Sequence, residues 1–463
     1  MTGCAPPGGG GPITQIPPNP LPPAYKYASA KSAVALPYPK SRWWREFHDS
    51  ELDHLEHRAL TDNHDLKVAV DRIAQAEAQA GSDAAALYPT LGSQFQFAGT
   101  GPSLGPGTAS AAGTAFTYQR LPQVSLTTSY ELDLWGKNGY QAKSALALAE
   151  ASVAYRDGVA LTLTSQVATT YFEYLGDLDH VTVAKRDQAN AQAALDAVRS
   201  RMNQGDATRI ELLQQETAAS NAAGAVAVAK LNRDKNFDKL AALLGTTPAQ
   251  LSLGGATLTD IQPPRINAGI PAQLICRRPD IRRAEDNLIS AHADIKVARA
   301  EMYPDFTFSL QGGKAAYAFS AFLLPESRFF SIIGSVTQSI FDAGKNADKV
   351  RKSLARYEEM VQTYHQTIVD AVREVEDALA ALRLTRQQQD ALNQATAHAR
   401  KANRLSNVAF NQGALDYLTL LNTQRSLFAA EDAAITAHTN RLKAAVDLFK
   451  SLGGGVSRPR CQL

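Results

Sequence analysis

Four short landmarks recur in the same order in the two halves of this chain. Tyr88-Pro89 returns as Tyr303-Pro304, and Trp135-Gly136-Lys137-Asn138 returns as Ala343-Gly344-Lys345-Asn346. Asn203-Gln204-Gly205 returns as Asn411-Gln412-Gly413, and Leu244-Gly245 as Leu452-Gly453. The first pair is offset by 215 positions and the other three by 208, so one small deletion relates the halves. A duplication of this kind demands two structurally equivalent units that close against each other or against further copies.

Composition narrows how such units are built. Aromatic residues make up only 7% of the chain while alanine is plentiful, a mix suited to long helices whose backbones approach closely. The net charge of +2 gives no argument for nucleic acid or for a strongly charged substrate. No run reaches the roughly 20 apolar residues that a membrane-spanning helix needs, so any passage through a bilayer must be made by β-strands. Three cysteines supply no disulfide framework, and Cys276 and Cys461 read as bystanders.

Along the chain, Trp43 to Phe47 opens a polar helical stretch, and Asp65 to Leu87 carries Leu66, Val70, Ile73 and Ala76 at helical spacing until Tyr88-Pro89 stops it. The period then changes from 3.6 to 2. Gln94 to Phe97 alternate, and after a Gly/Ser/Pro-rich loop Val124, Leu126, Thr128, Tyr130, Leu132 and Leu134 share one face. Ser125, Thr127, Ser129, Glu131 and Asp133 share the other. One apolar and one polar face over about ten residues is the pattern of a transmembrane barrel strand, and of a half-buried soluble strand as well. The second half repeats it at Phe306, Phe308 and Leu310 and again from Phe329 to Phe341. Two strands per half cannot stand alone, so closure requires other copies. Proline-free segments at 138–202, 210–244, 346–410 and 416–452 read as antiparallel helical hairpins, the longest spanning roughly 95 Å. The expected layout is a linker at 1–40, a first repeat at 41–250, a connector at 251–279, a second repeat at 280–453 and a tail at 454–463.

The residues Arg277-Arg278-Pro279-Asp280-Ile281-Arg282-Arg283-Ala284-Glu285, Tyr303-Pro304, Ile340-Phe341-Asp342-Ala343-Gly344 and Asn411-Gln412-Gly413 with Leu418-Thr419-Leu420-Leu421 resemble, in order and spacing, the outer-membrane factor (TolC-like) family. The likeness is to its lipoprotein branch serving RND-type drug-efflux pumps, over about residues 4–453. It implies a mainly α chain with a transmembrane β-barrel: four strands and two long hairpins per copy. A homotrimer would then complete a 12-strand barrel and a 12-helix periplasmic tunnel. The polypeptide secretion ducts of the same fold, and a poreless coiled-coil scaffold, remain alternatives. Thr2-Gly3-Cys4 resembles the end of a lipoprotein signal, which makes Cys4 the expected lipidation site ahead of a flexible Gly/Pro-rich tether.

The resemblance also places candidate sites. Leu418 falls at the family's apolar constriction, Asn422 at a position commonly acidic, and Glu211 aligns with a common aspartate. Three copies of Glu211 would form a cation-favouring ring at a periplasmic gate, whereas Asn422 departs from the acidic pattern. The hairpin turns Gly205-Asp206-Ala207 and Gly413-Ala414-Leu415, with Arg201, are the expected contacts for a periplasmic adaptor. No catalytic grouping, metal site or cofactor is expected. His54 and His57 near Glu51 read as a solvated helix face, and the cluster Arg277, Arg278, Asp280 and Arg282 reads as structural.

Overall fold

The duplication is written into the lengths of the elements. The computed structural model describes residues 21–27, 41–100, 119–254, 257–316 and 319–454; Cys4, Cys461 and the loop around Gly101 lie outside them. Helices α2 (His64–Ala85) and α6 (Pro279–Ala300) each have 22 residues. Helices α3 (Lys137–Asn203) and α7 (Lys345–Asn411) each have 67. Helices α4 (Arg209–Leu243) and α8 (Tyr417–Ser451) each have 35. The short helices α1 (Ser50–Asp62) and α5 (Leu274–Arg277) complete the helical set, and each repeat contributes two strands. The chain divides into two compact units, one of residues 1–72, 152–284 and 364–463, the other of residues 73–151 and 285–363.

The second unit holds a four-stranded antiparallel sheet in the order β1-β2-β3-β4. Its strands are β1 (Thr90–Thr100), β2 (Gln119–Leu132), β3 (Asp305–Ala315) and β4 (Arg328–Thr337). The register carries the alternation read from the sequence across all four strands. Phe95 faces Val124, Tyr130 faces Phe308, and Phe306 faces Val336. Since successive side chains point to opposite faces, Leu91, Phe95, Leu126, Leu132, Phe308, Leu310, Phe330, Ile332 and Val336 share one exposed apolar face. Gln94, Ser125, Thr127, Ser309, Gln311 and Ser331 lie on the other. The fourth strand is shorter than the expected run to Phe341. Its ladder ends at Thr337, which pairs with Asp305, the first residue of β3; farther on, Asp342 accepts hydrogen bonds from the amides of Gly344 (2.9 Å) and Asn346 (3.0 Å), which fixes the start of α7.

The first unit is held by apolar packing around its short N-terminal helices. Trp43 stacks on Phe449 at 5.1 Å between ring centroids, and Phe47 lies 5.0 Å from Phe172. Leu52, Leu55, Leu240, Leu244 and Leu442 fill the space between them. Each such side chain contributes about 1.5–3 kcal/mol on burial. The Arg278 side chain ties three elements together. Its guanidinium donates to Asp280 at 3.0 and 2.6 Å and to the Ser451 carbonyl at 2.9 Å, and pairs with Glu374 at 2.7 Å. Burial disfavours its charge, but Asp280 and then Glu374 outweigh it and hold the group above its ordinary range. This Arg-Pro-Asp segment is thus a clamp on the start of α6. Cys276 lies in α5. His54 and His57 lie exposed on α1.

Candidate functional site

The two hairpin tips are built alike, from a glycine reversal followed by a side-chain cap. Gly205 has φ +85° and Gly413 φ +72°, the left-handed conformation that lets a helix end and its chain turn back. At the first tip the Asp206 amide donates to the Arg201 carbonyl at 2.9 Å, and the Arg201 guanidinium donates to the Asp206 carbonyl at 3.0 Å. At the second, the Ala414 amide donates to the Ala409 carbonyl at 2.8 Å.

Helix α4 then starts with a reciprocal pair. The Thr208 amide donates to the Glu211 carboxylate at 2.9 Å, and the Glu211 amide donates to the Thr208 hydroxyl at 3.2 Å. Helix α8 starts with Asp416, which accepts from the Thr419 amide at 2.9 Å and the Thr419 hydroxyl at 2.7 Å. These hydrogen bonds, the Thr419 hydroxyl's first, hold the Asp416 carboxyl below the usual carboxylate range.

Within the chain the tips pack on each other. Leu195, Val198, Leu212, Tyr417 and Leu421 form one buried cluster, and the Arg201 guanidinium lies 5.8 Å from the Phe410 ring centroid. Burial pushes the Tyr417 phenol up, with Arg425 opposing and Glu211 adding to the effect. With Tyr417, Leu420 and Leu421 turned inward, α8 presents its other face outward. Leu418, 56% exposed, and Asn422 lie on that face one helical turn apart. Leu418 is therefore not core within a single chain. Higher up, the buried Glu431 of α8 receives Arg400 of α7 at 2.9 Å and also pairs with Arg186 of α3, so one carboxylate ties both hairpins.

The structure therefore brings Arg201, Gly205, Asp206, Gly413, Ala414 and Glu211 to one pair of packed tips, with Leu418 and Asn422 on the adjoining exposed face. Sequence reasoning passed over Thr208, Asp416 and Glu431. The first had a visible signal, since Thr208-x-x-Glu211 is a helix-start signature. Glu431 had none, because a glutamate on a long polar helix declares nothing about which cations reach it.

Comparison with known proteins returns one consistent answer. The family described as "Outer membrane efflux protein" matches residues 55–246 and 270–454. The "Pyoverdine export outer membrane protein OpmQ" of Pseudomonas putida is 33% identical over 438 residues, covering 94% of this chain and 92% of the relative. The "Probable outer membrane lipoprotein SilC" of Salmonella typhimurium is 26% identical, covering 96% of this chain and 95% of the relative. Among solved structures, the open state of the MtrE outer membrane channel of Neisseria gonorrhoeae superposes with a TM-score of 0.84 at 26% identity, covering 95% of this chain and 96% of that one.

Proposed function

The chain belongs to the outer membrane efflux protein family, and on that premise we propose that three copies join their four-stranded sheets into one barrel and their long helices into one periplasmic tunnel, the exit duct of a tripartite efflux system. The observation that carries this reading is the sheet itself. It has two open edges, β1 and β4, and one face apolar from edge to edge. Such a sheet is incomplete in lipid, where every backbone donor and acceptor must find a partner. An even number of antiparallel strands lets β4 of one copy pair with β1 of the next in the correct sense. The apolar face then meets lipid and the polar face lines water.

In this reading a periplasmic adaptor docks on the tips at Arg201, Gly205, Asp206, Gly413 and Ala414, and an inner-membrane RND-type pump supplies the energy. The gate is the exposed stripe of Leu418 and Asn422 with Glu211 beside it. Cys4 carries a covalent lipid, a reading supported by the relative named as a lipoprotein. The test is the protein mass of the detergent-extracted particle by light scattering. Three times 49.7 kDa is expected; a monomeric particle would leave the strands unable to close and reject the shared barrel.

A further inference from the structure

Helices α3, α4 and α8 of the first unit frame a cavity of about 300 Å³ whose lining contains no hydrophobic side chain. Helix α3 contributes Glu173, Asp177 and His180, and α4 contributes Asn232, Lys235 and Asn236. Asn440 and two threonines of α8 form the third side. Gly176 lets α3 approach α8, since a Cβ there would lie 2.5 Å from the Thr439 hydroxyl.

Most of the charge around this cavity is already matched. Glu173 pairs with Lys443 at 2.5 Å and Lys239 at 3.7 Å, and Asp432 holds the His180 ring at 2.7 Å. Two charges are left over. Neither Lys235 nor Asp177 makes an ion pair among the described residues, and Asp177 Oδ2 accepts only from Asn236, at 2.7 Å. The side-chain amides of Asn232 and Asn440 have no partner among the described residues either. Burial, the largest effect, holds the Asp177 carboxyl above its ordinary range against the opposing pull of Asn236 and His180. A cation brought to this carboxylate therefore offsets its desolvation.

The duplication serves as an internal control. Asn232 and Lys235 of α4 recur 208 residues on as Asn440 and Lys443 of α8, and both Asn-x-x-Lys pairs converge on α3 here. The α3 side does not recur. The counterparts of Glu173, Gly176, Asp177 and His180 in α7 are Ala381, Leu384, Thr385 and Gln388. Helix packing common to the two repeats thus does not require this polar set. Its chemistry narrows the ligand. A hydrophobic drug needs apolar walls, which are absent. No group of three His, Cys, Asp or Glu side chains able to hold a metal ion occurs among the described residues. What stands unmatched is an ammonium with two carboxamides, which suit a carboxylate, and a carboxylate, which suits an ammonium.

We propose that this cavity binds a small zwitterion of the amino-acid class, its carboxylate on Lys235 and the amides of Asn232 and Asn440, its ammonium on Asp177. Every lining residue belongs to one chain, so the particle mass that decides the barrel reading has no bearing on this site.

The detergent-extracted full chain is titrated calorimetrically with L-serine, L-glutamine and glycylglycine as probes. At least one should bind saturably, and about tenfold or more tightly than ethanolamine or L-lactate, each of which engages only one of the two charges. Asp177→Asn keeps the acceptor for Asn236 and removes the charge, while Lys235→Gln removes the other. Each should weaken that binding about tenfold or more with the thermal midpoint unchanged. Thr385→Ala, at the α7 counterpart of Asp177, should bind like the parent. If a charge variant melts early, Asn232→Ala with Asn440→Ala, both at exposed positions, replaces it and should weaken binding in the same way. Saturation by none of the three probes overturns the proposal, as do half-molecules that bind equally tightly. Normally melting variants that bind like the parent overturn it as well.

Discussion

Glu56 couples the folding of the first unit to pH. It is fully buried on α1, and neither carboxylate oxygen has a partner among the described residues. Burial, and then Asp53, push its pKa well above the ordinary value. The folded state therefore keeps a proton that the unfolded chain loses above pH ~4.3, so this group's contribution to stability declines as pH rises from there. Glu56→Met removes the unsatisfied oxygens and should stabilise the protein by about 1–3 kcal/mol at neutral pH. Thermal midpoints of both proteins across pH check this; a less stable methionine variant would sink it. Glu211 offers a cleaner dissection. Glu211→Gln removes the charge yet keeps the reciprocal cap with Thr208, so cation preference in reconstituted channels should fall while the thermal midpoint holds. Glu211→Ala loses both, with about 0.5–2 kcal/mol of stability. Unchanged ion selectivity in a folded glutamine variant would reject an acidic ring at this position. The sequence showed Glu211 as a charge near a turn but not its bond to Thr208, and it gave no hint of Glu56, whose burial depends on which helices cover it.

At the scale of elements, most of the fold was legible. Expected helices at 138–202, 210–244, 346–410 and 416–452 stand against α3, α4, α7 and α8, whose bounds differ by one residue at either end. Glycine reversals and the absence of proline over long stretches define such elements without tertiary help. The strands were less well bounded. Alternation at Ile340 and Phe341 carried the fourth strand too far, because β3 begins at Asp305, the partner of Thr337, and offers nothing beyond it to pair with. Asp416 makes the start of α8 pH-sensitive. Its depressed carboxyl contributes stability that is present above pH ~3.9 and is lost as pH falls through the folded-state value. Asp416→Ala should speed hydrogen exchange at the Thr419 amide about fivefold at neutral pH, the effect of losing one helix cap. Exchange that does not change would show that tip packing alone holds this turn.

For the whole molecule, the proposed barrel and the proposed lipid on Cys4 act as separable anchors. Cys4→Ser should abolish incorporation of labelled palmitate yet leave the protein in the membrane fraction, since a closed barrel resists extraction without help from an acyl chain. Release of the variant into the soluble periplasm would assign membrane residence to the lipid instead. The proposed trimer closure has only an indirect trace in the sequence, through strands too few to stand alone. The matched arms have a further consequence, for the lineage rather than for the single molecule. The 215-residue offset between α2 and α6 drops to 208 between α3 and α7, so the length difference falls between the start of the third strand and the seventh helix. No difference separates the two hairpins, although a surplus of one helical turn would carry a tip about 5.4 Å past its neighbour. Insertions and deletions in the arms should thus survive only as matched pairs of equal length, while the connections between the strands of each half drift one half at a time.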